Sequence, residues 1–146
     1  MELWELTARE NIRDIVARYN SLGDSGHIAA MMCLFTPDAV LDVIGAESIR
    51  GREAIEVFFL SVAQQSQEKF QLKYLHHHTS THQIDLVDEA SAKGRSYFAV
   101  LTQDGLDHWG RYVDEYRCHN QDWQIQHRKV YVDGVTPGGW GDMRSL

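Results

Sequence analysis

Four histidines fall close together, His76, His77, His78 and His82. An imidazole takes up or releases a proton near neutral pH and also ligates metals, so the run could serve acid–base chemistry or a metal. On a strand alternate residues share a face, which would let His76 and His78 chelate together. His82 lies four residues beyond His78, over ~13 Å of extended chain, too far to complete one site. No matching carboxylate or cysteine pattern is near, and no metal is expected. Cys33 and Cys118 are too few and too far apart for a disulfide framework or a zinc motif, and read as reduced thiols. The glycines of Pro137-Gly138-Gly139-Trp140-Gly141 do not stand between a strand and a helix, so they are not read as a phosphate loop. What remains is acid–base chemistry by side chains.

The elements that would position it follow from periodicity. Leu3, Leu6, Ile12, Ile15, Val16 and Tyr19 recur at helical spacing, with Thr7 and Asn11 as possible caps, until Gly23-Asp24-Ser25-Gly26 interrupts. A short helix is predicted over His27–Phe35, ended by Thr36-Pro37 because the residue before proline avoids helical dihedrals. Ala39–Ile44 reads as a strand. Gly51–Gln65 reads as a third helix with Ile55, Phe58, Phe59 and Val62 on one face. Strands are predicted over Leu75–Val87, Ala92–Thr102, Leu106–His119 and Trp123–Val132, separated by turn-forming residues. Helices followed by an antiparallel meander give an α+β class. The 146 residues fit one domain over 1–146, irregular after about residue 133.

Composition limits the partners. A net charge of −7 argues against nucleic acid and anionic membranes, because phosphate binding needs clustered Lys and Arg. No apolar run approaches the roughly 20 residues that span a bilayer. Met1–Glu5 lacks the basic and apolar regions of a secretory signal, so a soluble cytoplasmic protein is expected. Tyr97, Ala99 and Leu101 alternate with Phe98 and Val100, leaving apolar residues on both faces of one strand. Helices cover only one face, so a homodimer or homotrimer is expected.

An ordered set of segments resembles the SnoaL-like branch of the nuclear-transport-factor-2-like superfamily. These are Arg18-Tyr19, Asp24, Ala30 through Asp42, Gly51–Ile55, His77–Leu86, Gly110–Tyr116 and Trp123–Arg128. The resemblance implies a cone of three N-terminal helices and a curved antiparallel sheet around an apolar pocket. It implies no cofactor. The branch includes dehydratases, a dehydrochlorinase, ketosteroid isomerases, polyketide cyclases and members without catalysis, so the reaction must be argued from site residues.

In the dehydratases and the dehydrochlorinase an aspartate and a histidine form a dyad, and those positions match Asp24 and His77. The histidine would be the general base and the aspartate would fix its tautomer and stabilise the imidazolium. The plain alternative is that Asp24 caps the second helix and His77 is a satisfied core histidine. Tyr19 matches a tyrosine suggested to bind or polarise the substrate, a role that competes with simple core packing. Asp114 matches the acid–base aspartate of the cyclases and is next in line as base, or else is an exposed strand carboxylate. Arg128 falls where the dehydrochlorinase has a basic pocket residue, with surface solvation as its plainer role. Phe35, Phe59, Tyr97 and Trp109 are candidate pocket walls. The reading these support is a cofactor-independent, dehydratase-like lyase acting on a small apolar cyclic molecule. Isomerisation, polyketide-type cyclisation and noncatalytic ligand binding are the alternatives. His77 lies seven residues before Ile84 in the pattern His-x-x-x-Thr, but Thr81 stands where the family often has asparagine.

Overall fold

A computed structural model describes residues 1–142. Three helices, α1 (Leu3–Asp24), α2 (Ile28–Met32) and α3 (Arg52–Glu68), pack on one face of a curved, open sheet. Its strands are β1 (Phe35–Val43), β2 (Ile49–Arg50), β3 (Leu75–Leu86), β4 (Ser91–Thr102), β5 (Gly105–His119) and β6 (Asp122–Val135). Their order is β2-β1-β6-β5-β4-β3. Each pairing is antiparallel except β1 with β6, which is parallel. The expected meander is therefore β3 to β6, and the strand before it closes onto the meander's last member.

Helix α1 begins earlier than its apolar period suggests. Glu2 is its N-cap, and Glu5 returns a carboxylate to the Glu2 N–H at 2.6 Å, a reciprocal cap made by acids. Thr7 and Asn11 are not caps: they sit inside the helix and donate to the carbonyls of Leu3 and Thr7. The helix also runs through Gly23 to Asp24, past the glycine that reads as its end. Helix α2 is shorter than expected, and Phe35, Thr36 and Pro37 open β1 instead. Proline is tolerated there because it lies at the irregular stretch between the Phe35 and Val40 pairings, where β1 needs no ladder N–H. Past residue 133, β6 continues to Val135 and a turn follows; residues 143–146 of the expected irregular tail lie outside the described residues.

Strand β3 has to present both His77 and Ile84 to the helices, although seven residues separate them and a regular strand would put them on opposite faces. A bulge between Ser80 and Gln83 resolves this, with Thr81 at φ 53°. Before the bulge the odd residues point inward, and after it the even ones do. The core under the sheet is built from Ile12, Ile15, Val16, Phe35, Leu41, Ile55, Val100, Tyr116 and Ile125, all buried.

Candidate functional site

Asp24, the last residue of α1, reaches the start of β3. Its Oδ1 lies 2.6 Å from His77 Nδ1, and its Oδ2 accepts the His77 backbone N–H at 2.8 Å. Both side chains are largely buried. With Nδ1 held by the carboxylate, Nε2 is the position left to accept a proton. The two-point contact fixes the ring's position as well as its tautomer, because one oxygen grips the strand and the other the imidazole. Asp24 therefore does not cap α2; its carboxylate is committed to β3.

This pair forms part of the wall of a cavity of about 340 Å³, walled also by Tyr19, Ile28, Met31, Phe59, Val62, Leu72 and Trp140. Tyr19 is almost completely buried and stands edge-on to Phe35, Phe59 and Tyr112. Burial pushes its phenol up in pKa, with neighbouring Arg128 pulling the other way. Tyr19 thus keeps its proton at neutral pH and can donate a hydrogen bond.

Arg128 and Asp114 lie one layer deeper, away from the cavity wall. Both are fully buried, so neither takes the surface role that stands as its plainer alternative, and neither lines the cavity as a substrate-binding residue would. Arg128 Nε and Nη2 donate to the two oxygens of Asp114 at 2.8 Å each, and Tyr116 donates its hydroxyl to Oδ2 at 2.7 Å. The guanidinium is sandwiched between the rings of Tyr19 and Tyr112, 4.2 and 3.9 Å from their centroids. Burial works against its charge, but Asp114 outweighs that and holds Arg128 firmly protonated. With its oxygens so engaged, Asp114 is not placed to act as a base, and the pair reads as the support beneath Tyr19. Arg128 Nη1 has no partner among the described residues.

Of the proposed wall residues, Phe59 lines the cavity and Phe35 packs beneath it, wholly buried against Tyr19. Tyr97 and Trp109 do not reach it. On β4 and β5 the even-numbered Phe98, Val100, Tyr112 and Asp114 point inward, so Tyr97 and Trp109 face outward and are exposed. Nothing in the sequence fixes that register, since the strands are apolar on both faces.

Two contributors were not anticipated. His108 follows its neighbour Asp107, whose Oδ2 is 2.7 Å from His108 Nδ1, and its ring lies edge-on to His77 at 6.4 Å. Burial lowers the pKa of His108, and His77 acts in the same direction, outweighing Asp107. Trp140, from the segment expected to be irregular, packs at 5.6 Å from His108. Asp107 holds that segment by accepting the backbone N–H groups of Trp140 and Gly141, each at 2.7 Å. A side chain at Gly141 would collide with the His108 ring, its Cβ falling 2.4 Å from Nδ1. The signal was an Asp-His dipeptide and a Gly-Trp-Gly, neither of which resembles a site without the fold.

The other histidines separate. His76 and His78 are exposed on the outer side of β3, whereas His82, past the bulge, turns inward toward the Tyr116 hydroxyl at 3.4 Å. No group of three or more His, Cys, Asp or Glu able to hold a metal occurs among the described residues. No helix among them is long and apolar enough to cross a membrane.

Residues 4–129 match the SnoaL-like domain, and the chain belongs to that family. Part of it is 43% identical, over 53 residues, to a steroid Delta-isomerase of Nocardioides simplex; the match spans 36% of this chain and 43% of that protein. The fold is similar to that of a protein provisionally named scytalone dehydratase from Novosphingobium aromaticivorans, with TM-score 0.80, 20% identity, and coverage of 93% of this chain and 91% of the other. It is also similar to a hexachlorocyclohexane dehydrochlorinase of Novosphingobium barchaimii, with TM-score 0.78, 16% identity and 93% of each chain covered.

Proposed function

We propose that this chain is a cofactor-independent lyase that removes water from a small, mostly apolar cyclic substrate with an acidic C–H bond next to a carbonyl. The observation that carries this reading is an imidazole oriented by Asp24 at the wall of an apolar cavity that also holds the Tyr19 phenol. His77 Nε2 would take the proton from carbon. The electron pair moves toward the carbonyl oxygen, to which Tyr19 donates a hydrogen bond. The imidazolium then gives the same proton to the departing hydroxyl, so the substrate loses H and OH as one water and leaves as an enone. Asp24 balances the imidazolium charge while it exists.

The test is turnover of 3-hydroxycyclohexanone and its benzo-fused analogue, followed by mass. Wild type should release a product lighter by one water, and His77→Gln should be slower by roughly 10²–10⁴-fold. Equal turnover by both proteins would falsify the assignment of the base. The partial match to a steroid isomerase favours a second reading, in which the same base moves a proton from carbon to carbon and the product keeps its mass. Binding without conversion of any cyclic ketone would identify a ligand-binding module.

We infer also that the chain self-associates through the outer face of its sheet. Tyr97, Leu101, Trp109 and Val113 are exposed there with no helix over them. Sedimentation at micromolar concentration should give a dimer or trimer, and Trp109→Glu should shift it toward monomer; a monomeric wild type contradicts this.

A further inference from the structure

A second cavity adjoins the first. It is a more open groove of about 690 Å³ along the seam of α1 and β3, edged by Ser21, Tyr74, His76 and Thr79. Asn20, Asp24, Lys73 and His77 are among the residues that line both spaces, and they form part of the boundary between an apolar chamber and a polar groove. Asn20 is 6% exposed, and its Oδ1 is buried with no hydrogen-bond partner among the described residues. Buried carboxamide oxygens are ordinarily paired, so an unpaired one in a site wall calls for an explanation. Asn20 precedes Asp24 by four residues in α1, placing it on the same helix face, about 6 Å along the axis from the residue whose carboxylate orients His77.

We propose that Asn20 is a specificity-determining residue: its carboxamide pairs with a hydroxyl on a ring held in the chamber, so that hydroxylated cyclic ligands are favoured over the same ring without the hydroxyl. A hydroxyl suits either face of the amide, because it both donates and accepts, whichever way the side chain is turned. A ring without it leaves the amide unpaired in the bound state, and sites built this way reject the deoxy analogue. The groove beyond Asn20 gives a polar substituent a path toward solvent. This inference rests on the chamber being the ring-binding site and extends it from shape to polarity.

The experiment is an NMR titration of the full chain with 4-hydroxycyclohexanone, whose hydroxyl is not β to the carbonyl and so is not eliminated, and with cyclohexanone, for wild type, Asn20→Leu and Asn20→Ser, with a melting curve for each. Wild type should bind the hydroxyketone roughly tenfold more tightly, the worth of one hydrogen bond. Asn20→Leu should bind both alike and melt higher than wild type, because an apolar side chain replaces an amide whose oxygen the protein leaves unpaired. Asn20→Ser should regain part of the preference. A preference that survives in Asn20→Leu overturns the proposal. So does a lower melting temperature in both variants, which would make the amide a structural element. Failure of wild type to bind either ring overturns the chamber reading, and the assignment of Asn20 with it.

Discussion

Two of the molecule's histidine–aspartate pairs have imidazoles that meet edge-on, and they are built in opposite ways. Asp24 and His77 are 53 residues apart and join a helix end to a strand. Asp107 and His108 are neighbours on β5. Both oxygens of Asp24 go to one residue, His77, through its backbone and its ring. The oxygens of Asp107 are divided between His108 and the peptide N–H groups of Trp140 and Gly141. The same two side chains thus serve as an oriented base in one case and as an anchor for a wall segment in the other. Residue type and distance do not separate these roles; what the second carboxylate oxygen holds does.

That contrast can be broken most directly at the carboxylates. Asp24→Asn should cost turnover about as much as His77→Gln, roughly 10²–10⁴-fold, because an amide can select the wrong tautomer and cannot balance imidazolium charge. Since the pair acts as a unit, the double variant should be little worse than either single one. Asp107→Ala should act through stability instead. It removes charge-assisted bonds to the 140–141 segment, with an expected loss of roughly 1.5–3 kcal/mol in urea unfolding. Loss of the Trp140 wall should then raise KM more than it lowers kcat. A stable Asp107→Ala protein with abolished kcat would reverse the two roles.

The pH dependence sharpens the comparison further. The folded-state pKa of His108 lies below its ordinary value of 6.5, so the unfolded chain binds the proton first as pH falls. Stability should therefore decline as pH drops below about 6.5 and level off beneath the folded-state value. His82, also lowered by burial, contributes with the same sign. His108→Asn should reduce the slope of unfolding free energy against pH between 7 and 5 without removing it. An unchanged slope would mean that His108 is not the group being titrated. The smallest effect is expected at Thr81, a β-branched residue at positive φ in the β3 bulge. Thr81→Asn should stabilise by up to about 1 kcal/mol, since asparagine accepts this conformation more readily. It should leave turnover unchanged, because the bulge that aims His77 is retained.

Element order was readable from periodicity, and so was the pairing of Asp24 with His77, through the family pattern. The periodicity failed where two signals competed. Gly23 reads as a helix end, yet α1 runs on to Asp24, and it is this extension past the glycine that delivers the carboxylate to β3. Thr36-Pro37 reads as the end of the second helix, yet both residues lie in β1. Tyr97 and Trp109 were misplaced because an apolar strand carries no mark of which face is inside. The sequence leaves Arg128 and Asp114 open between site and surface roles because their partnership spans two strands, β5 and β6, and is visible only once the register brings them opposite each other. His108 and Trp140 were missed because their roles come from neighbours supplied by the chain's last turns.

The single parallel pairing sets the order in which these parts can come together. Strands β3 to β6 join through short turns, so the meander can zip up from local contacts. The seam between β1 and β6 cannot, since Asp42 and His127, which meet across it, are 85 residues apart. Closing a loop of that length before any reward is collected makes the seam a natural late step in folding. The base is installed late as well, because His77 gains its orienting carboxylate only when α1 docks on β3. Substitutions in the seam, such as Leu41→Ala, should then speed unfolding while leaving the rate of refolding nearly unchanged.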